Sequence, residues 1–261
     1  MWVACIMKRN GSMVDFGWPS GFSIMALYYL LTGPGMEYHR ILLCGMYLVC
    51  GVRFMFGWLI GRNHWRREDH RWEHWREYWA NGNGVLGIKS EWFNFFCFYH
   101  CQSVTNIVFM SVPLHIAATS TITHLTAFEY LGLGVWIFGF AFENVADLQL
   151  GQYKINAAKA KKQGLEYSPV MDQGLWRYSR HPNYFGEFLV WISYSIMTFN
   201  QTDSILFKIL LLLLPGVAYY YLVYFTGAWM AEKVSLAKRG KPYADYQKKT
   251  SILFPWFPVL Q

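Results

Sequence analysis

Residues 204–229 read SILFKILLLLLPGVAYYYLVYFTGAW, a long apolar run in which Lys208 is the sole charged side chain. An α-helix rises 1.5 Å per residue, so this run can cross the roughly 30 Å hydrocarbon core of a bilayer. Similar runs recur along the chain, at about 18–32, 41–60, 92–116, 126–148 and 184–200. The first and fifth of the six are short for a full crossing. The sequence therefore predicts an all-α, multi-pass membrane bundle of six to seven transmembrane helices.

The amino-acid composition agrees with a membrane protein. Apolar residues make up 54% of the chain and charged residues 15%, whereas soluble domains carry about 25% charged residues. This deficit predicts a lipid bilayer as the partner of much of the surface. The five cysteines are odd in number and lie mostly in apolar stretches, so we expect them to be small buried side chains without a disulfide framework.

Lysine and arginine are concentrated in three segments. Residues 61–91, 151–183 and the chain from residue 230 hold 18 of the 23 cations. If each apolar run crosses once, these segments share one side, opposite the connections 33–40 and 117–125. The positive-inside rule then assigns the basic side and the C-terminus to the cytosol. Because the cations are divided among loops, we expect no nucleic-acid partner.

We expect one membrane-embedded domain over residues 1–261, with residues 230–261 as a cytosolic tail at the interface. The opening MWVACIMKRN is too short to cross a membrane. Either the N-terminus is cytosolic, or a first helix is missing.

Residues 62–79, RNHWRREDHRWEHWREYW, mix charged, histidine and tryptophan side chains. This pattern is typical of a helix at the level of the lipid headgroups. His70 and His74, one turn apart with His64 upstream, leave a metal site as the alternative. Membrane enzymes that bind metal through histidine need several such clusters, so we expect no metal here.

Glu143 and Asp147 share a helix face at the cytosolic end of the fourth apolar run, because they are four residues apart. Charged side chains are costly inside a membrane, which makes the pair a functional candidate. Ribose hydroxyls, an amide or a cation would relieve their repulsion. The alternative is a pair that simply reaches headgroup water.

Residues 174–191, GLWRYSRHPNYFGEFLVW, predict the start of the fifth helix near residues 179–183, because Pro182 suits a first turn. Free N–H groups and the helix dipole would bind phosphate there. Two arginines and a histidine flank this point: Arg177, Arg180 and His181. Asn183 and Glu187 follow one turn apart and could bind the amide or hydroxyls of a cofactor. Ordinary cationic flanking explains the arginines but not these two residues.

Four segments together resemble the steroid 5α-reductase family: REDHRW (67–72), FENVADLQL (142–150), RYSRHPNYFGE (177–187) and KRGKPYADYQKKTSILFPW (238–256). The resemblance covers nearly the whole chain, from Asp15 to Trp256. The RHPNY core is also similar to the isoprenylcysteine carboxyl methyltransferases, which carry an RHP-x-Y-x-G segment. Two residue pairs favour the reductases: Asn183 with Glu187, and Glu143 with Asp147.

The resemblance implies a membrane reductase that holds NADPH in a pocket open to the cytosol. It would reduce a carbon–carbon double bond conjugated to a carbonyl, in a steroid-like or other lipid substrate. By the same resemblance, the nicotinamide and ribose end is assigned to Asp147, Asn183 and Glu187, with Glu143 beside them. Other cofactor-side motifs contain Arg180, His181, Tyr184 and Tyr246. A loop expected to close over the phosphates contains Arg62, Asp69, Arg71 and Arg76.

Two departures from the family pattern concern the substrate and the catalytic acid. Steroid-reducing members carry a Gln-Glu pair near the position of residues 16–17, which this chain lacks, and Trp72 stands where the family usually has tyrosine. Asp15 can serve as the acid only if burial keeps it protonated. Tyr99, which shares a helix face with Gln102, needs no pKa shift. Hydrogen bonding between helices is the alternative role of these two residues.

The arginine-rich loop offers bidentate partners for a 2′-phosphate, which favours NADPH over NADH. No G-x-G-x-x-G motif opens a βαβ unit, so a Rossmann domain is excluded. One alternative function is an S-adenosylmethionine-dependent membrane methyltransferase, whose cofactor carries no phosphate. Another is a non-catalytic, lipid-binding membrane protein. We expect the endoplasmic reticulum in a eukaryote and the inner membrane in a bacterium; the oligomeric state stays open.

Overall fold

The computed structural model describes residues 2–61, 68–225 and 227–259, with the backbone alone at Gly61 and His70. Within these residues the regular structure is helical and contains no β-strand, which confirms the all-α prediction. The α-helices are α1 (Trp2–Lys8), α2 (Met13–Thr32), α3 (Glu37–Phe56), α4 (His70–Tyr78), α5 (Glu91–Thr105), α6 (Ser111–Thr119), α7 (Ala127–Lys162), α8 (Pro182–Thr198), α9 (Ile205–Tyr220), α10 (Ala228–Arg239) and α11 (Lys241–Lys249). π-Helical segments follow α3, α4, α5 and α9 at Gly57–Gly61, Trp79–Asn83, Asn106–Met110 and Tyr221–Phe225.

Four stretches of the described chain are long and apolar enough to cross a membrane: Glu37–Ile60, Glu91–Thr119, Ala127–Lys162 and Ile205–Arg239. They overlap the predicted second, third, fourth and sixth runs, and the last two continue beyond the predicted ends at residues 148 and 229. Helices α2 and α8 correspond to the first and fifth runs, which are short in the sequence as well. A count of six to seven crossings stays a prediction.

The long apolar helices present many side chains that no other part of the protein covers. Leu131 and Phe138 on α7 and Leu212 on α9 are each more than half exposed. Such a surface is unfavourable in water and favourable against acyl chains. A lipid bilayer is therefore the medium that suits these helices.

The stretch Glu91–Thr119 changes its helical hydrogen bonding at Asn106–Met110, which is π-helical. Pro113 lies just beyond this segment, in the first turn of α6. Proline has no N–H and clashes with the carbonyl four residues earlier, so the helix widens here instead of continuing with regular bonds.

The chain divides into two compact units, which we describe separately. The first contains the chain up to Glu129 together with Met197–Leu213, and the second contains Tyr130–Ile196 and the chain from Leu214. The organisation of residues 1–261 as one functional domain stays a prediction.

In the first unit, α2 packs closely on α3. A Cβ atom on Gly51 would lie 1.8 Å from the Ser23 hydroxyl oxygen, so only glycine permits this contact. Leu43 and Tyr47 on α3 and Phe95 on α5 are fully buried. These helices hold the residues of α2 and α5 that line the cleft described below.

In the second unit, the chain after α11 lies along the segment before α8. The Arg180 N–H donates to the Ser251 carbonyl (2.8 Å), and the Trp256 N–H donates to the Tyr178 carbonyl (2.9 Å). Leu253 between these contacts is fully buried, whereas Trp256 is 74% exposed. Part of the predicted tail is therefore packed against the protein.

Candidate functional site

Helices α7 and α8 run antiparallel in direct backbone contact. A Cβ atom on Gly186 would lie 2.6 Å from both the Gly139 carbonyl oxygen and the Glu143 nitrogen. Small residues allow helices to approach this closely. The crossing brings Asp147 of α7 next to Asn183 of α8.

The Asn183 side chain donates from Nδ2 to Asp147 Oδ1 at 3.0 Å. Its other polar atom, Oδ1, is buried and has no hydrogen-bond partner. Glu143, one turn before Asp147, is 4% exposed, and Glu187, one turn after Asn183, is half-buried. The three residues that the resemblance assigns to the nicotinamide and ribose end, together with Glu143 beside them, thus lie within a single helix crossing.

Helix α8 begins at Pro182, as the sequence predicts. The preceding His181 N–H donates to the Ser179 hydroxyl at 3.1 Å. That hydroxyl in turn donates to the Leu253 carbonyl at 2.8 Å. The start of α8 is therefore fixed by its own turn and by the C-terminal segment.

Arg180 is bound within the protein on all three guanidinium nitrogens. Nε donates to Glu232 Oε1 (2.5 Å) and Nη2 to Glu232 Oε2 (3.1 Å). Nη1 donates to the carbonyls of Gln247 (2.9 Å) and Thr250. In this arrangement Arg180 holds α10 and α11 against the start of α8. A phosphate could bind Arg180 as predicted only by replacing Glu232.

His181 shares the same carboxylate. Its Nε2 lies 3.2 Å from Glu232 Oε1, and its ring stacks on Tyr184 with 5.2 Å between the ring centres. Burial lowers the pKa of His181, although hydrogen bonding to Glu232 acts in the opposite direction. A neutral imidazole with a proton on Nε2 donates to Glu232, so the charged pair of this cluster is Arg180 with Glu232.

Tyr246 also stabilises this cluster, through hydrogen bonds to backbone carbonyls. Its hydroxyl donates to the Trp176 carbonyl and lies 3.3 Å from the Ser179 carbonyl. Burial raises the pKa of Tyr246. The residue is therefore a neutral donor that fixes α11 on the segment before α8.

Glu232 was not predicted from the sequence, although it organises this region. Besides Arg180 and His181, it accepts a hydrogen bond from Gln247 Nε2 at 2.9 Å. Glu232 is the one acidic residue between residues 204 and 244. A lone carboxylate beside a long apolar run was the signal that could have identified it.

The predicted phosphate loop belongs to the first unit, and Arg62 lies outside the described residues. Arg71 contacts Asp15 Oδ2 (3.3 Å) and Asp69 Oδ1 (3.2 Å). Asp69 also caps α4, because its side chain accepts from the Arg71 N–H at 2.8 Å. Two predicted cofactor residues and one predicted acid thus form one ion-paired group.

Arg76 is likewise paired with carboxylates. Its Nε donates to Glu91 Oε1 at 2.7 Å, and its Nη2 donates to Glu68 Oε1 at 2.8 Å. These contacts fix α4 against the start of α5. A phosphate would have to replace at least one of the two carboxylates.

A cleft of about 210 Å³ lies between α2 and α5 in the first unit and is lined by Tyr99 and Gln102, among others. Tyr99 is 6% exposed, and its hydroxyl donates to the Gly11 carbonyl over 3.3 Å. Tyr99 and Gln102, which the sequence places on one helix face, therefore line the same cleft.

Among the described residues, no three His, Cys, Asp or Glu side chains are grouped as a metal ion requires.

Comparison with known proteins gives a family and a distant relative. The profile of the family described as "Protein of unknown function (DUF1295)" matches residues 1–250. An uncharacterized protein of Schizosaccharomyces pombe is 24% identical over 278 residues, which cover 98% of this chain and 75% of the relative. No solved structure matches the chain. Because the family profile spans nearly all of the sequence, the chain belongs to the DUF1295 family.

Proposed function

We propose that this protein is an NADPH-dependent membrane reductase. Its substrate is an apolar lipid, steroid-like or of another kind, with a carbon–carbon double bond conjugated to a carbonyl. The observation that carries the proposal is the Asn183–Asp147 pair, in which Asn183 Oδ1 is a buried acceptor without a partner. Leaving such an acceptor unpaired is costly, and the N–H of a nicotinamide carboxamide would satisfy it.

The residues of the helix crossing fit the nicotinamide end of the cofactor. Asn183 Oδ1 would accept from the carboxamide, while Asp147 and Glu187 would accept from ribose hydroxyls. NADPH supplies the hydride when it is bound. Phosphate binding by Arg71, Arg76 or Arg180 stays a prediction, since each is paired with carboxylates of the protein.

Tyr99 is the better of the two candidates for the acid. Hydride addition to an enone builds negative charge on the carbonyl oxygen, which a buried donor stabilises. Tyr99 has such a donor; its hydroxyl contacts the Gly11 carbonyl over a long 3.3 Å and also the Cys5 side chain. Asp15 faces Arg71, and an ionised carboxylate only accepts hydrogen bonds. Bound NADPH would supply the hydride, and Tyr99 or water would supply the one proton that completes saturation of the double bond.

The proposal is tested with purified protein in nanodiscs, incubated with NADPH and a panel of enone lipids. Mass spectrometry should find a product with two additional hydrogens, one of them deuterium when NADPH carries a deuteride. Tyr99→Phe should lower the rate about a hundredfold. No product from any enone would contradict the proposal.

Asn183→Ala tests the cofactor site separately from the acid. It should weaken NADPH binding by about tenfold or more, because the carboxamide N–H of the cofactor loses its acceptor, Asn183 Oδ1, in a buried site. Gln152→Ala is the matched control: Gln152 is an amide on α7 that is exposed and bonded to Asn156. Equal NADPH affinity in both variants would remove the assignment of Asn183.

One observation favours a second candidate, the S-adenosylmethionine-dependent methyltransferase. Arg71, Arg76 and Arg180 are already paired with carboxylates, and a cofactor without phosphate would leave these pairs undisturbed. Calorimetric titration distinguishes the candidates. Binding of S-adenosylmethionine, with methyl transfer to a lipid-linked thiol or carboxylate and no binding of NADPH, would replace the reductase proposal.

A further inference from the structure

The cleft of the first unit is mostly apolar but contains two unusual amide side chains. Val14 and Met25 on α2 and Ile107 after α5 supply apolar lining. Gln102 and Asn106, one turn apart, line the same cleft. Asn106 is the first residue of the π-helical segment, a kind of irregularity that is frequent at functional sites.

Both amides are buried, and each has an oxygen atom without a hydrogen-bond partner. Gln102 is 8% exposed and Asn106 is 7% exposed. Gln102 Oε1 and Asn106 Oδ1 are the unpartnered atoms. Asn94, on the same helix, shows the ordinary situation: its Nδ2 donates to the carbonyls of Ile88 and Ser90, and its Oδ1 accepts from the Val85 N–H. Buried acceptors are normally paired, so the two oxygens at the cleft need an explanation.

The orientation of the Asn106 amide is set by its neighbours. Nδ2 donates to the Trp18 carbonyl at 3.2 Å, and only the NH₂ group can face a carbonyl oxygen. A Cβ atom on Gly21 would lie 2.8 Å from this nitrogen, so glycine makes room for it. The oxygen is thereby left as an acceptor, and a ligand must bring a donor to meet it.

We propose that this cleft selects a lipid that carries a hydrogen-bond donor, a hydroxyl or an N–H, on its apolar body. The donor bonds to Asn106 Oδ1, to Gln102 Oε1 or to both. The proposal rests on the proposed function in one respect, namely that Tyr99 holds the carbonyl of the same molecule.

The helix geometry gives the spacing of these groups in the substrate. Gln102 follows Tyr99 by three residues and Asn106 follows it by seven, which corresponds to roughly 5 Å and 10 Å along the helix axis. The substrate class is therefore an enone lipid whose hydroxyl or N–H lies about 5–10 Å from its carbonyl.

A binding experiment without NADPH tests the selection. Testosterone is a suitable probe because its rigid apolar body carries an enone at one end and a hydroxyl at the other. Its methyl ether has the same body without the donor. Wild-type protein in nanodiscs should bind testosterone about tenfold more tightly than the ether, the value of one hydrogen bond to a buried acceptor. Equal binding, or no binding of either probe, overturns the proposal.

Three variants locate the preference. Gln102→Met and Asn106→Leu should each reduce the preference for the hydroxyl, and together they should abolish it. Ser23→Ala should keep it, because the Ser23 hydroxyl already donates to the Pro19 carbonyl at 2.7 Å and lies outside the cleft lining. A preference that survives in the double variant overturns the assignment.

Thermal stability separates a ligand-binding role from a structural one. Gln102→Met removes an unpartnered buried acceptor, so the ligand-free variant should melt a few degrees higher than the wild type. A lower melting temperature would show that the acceptor serves the fold, which overturns its role in binding. The binding experiments use no NADPH and are therefore independent of the reduction assay. A hydroxyl preference in a protein that reduces none of the enones would sustain this inference while the reductase proposal fails.

Discussion

At the scale of single residues, Glu232 connects three side chains of the second unit. Its two oxygens accept from Arg180, His181 and Gln247, which belong to the segment before α8 and to α11. Arg180 and Glu232 have side chains that are each 11% exposed. A charge removed from such a pair leaves its partner buried without compensation.

Glu232→Gln should therefore destabilise the protein by about 3 kcal/mol, because Arg180 loses its counter-ion while staying buried. The melting temperature of the purified protein measures the effect. Asp245→Asn is the matched control, since Asp245 pairs with Lys248 on the exposed face of α11. That change should cost no more than about 0.5 kcal/mol. Similar melting temperatures for the two variants would show that Glu232 does not stabilise the packing of α10 and α11 against the start of α8.

Residue roles could be predicted from the sequence only where partners are close along the chain or share a motif. Asp147 and Asn183 were assigned to one site, and they are in contact. Arg180 was assigned to phosphate because cations beside a helix start usually bind anions. Its actual partner, Glu232, is 52 residues away, and local patterns carry no information about such a contact. For the same reason the sequence could not predict that Gln102 and Asn106 each keep a buried oxygen without a hydrogen-bond partner.

At the scale of helices, the start of α8 at Pro182 was predictable because proline has a fixed φ and no N–H to donate. The contact of α7 with α8 was not. Gly139 and Gly186 lie in two different apolar runs, and nothing in either run indicates that the two glycines meet. This contact sets the distance between Asp147 and Asn183.

Gly186→Ala should push α7 and α8 apart, since the new methyl group would lie 2.6 Å from backbone atoms of α7. We expect a loss of about 1–3 kcal/mol, typical of overpacking, and weaker cofactor binding through the displaced Asn183. Melting curves and nucleotide titration measure the two effects. Gly151→Ala is the control, because its methyl group would meet nothing within 4 Å. It should leave the protein unchanged or stabilise it slightly. An equally stable Gly186→Ala protein would contradict the close contact.

At the scale of the whole molecule, the length and the terminal lysines of α7 bear on the predicted orientation of the protein in the membrane. It runs from Ala127 to Lys162, about 54 Å at 1.5 Å per residue, which exceeds the roughly 30 Å hydrocarbon core. Its last turn contains Lys159, Lys161 and Lys162. Because lysines are stable in water among headgroups, we expect the excess length on the side that the positive-inside rule assigns to the cytosol.

Single cysteines placed before and after α7 should therefore react from opposite sides of the membrane. The background carries Cys101→Ser, which removes the exposed native thiol. In right-side-out vesicles a membrane-impermeant maleimide should label Thr123→Cys, and it should reach Gln163→Cys only after the membrane is opened. Both positions are exposed, so slow reaction through burial is not expected. Labelling of both cysteines in sealed vesicles would show that α7 does not cross, and the inverse pattern would reverse the orientation. Either result would remove the cytosolic placement of Arg180, Asn183 and the other residues that the proposed cofactor site requires.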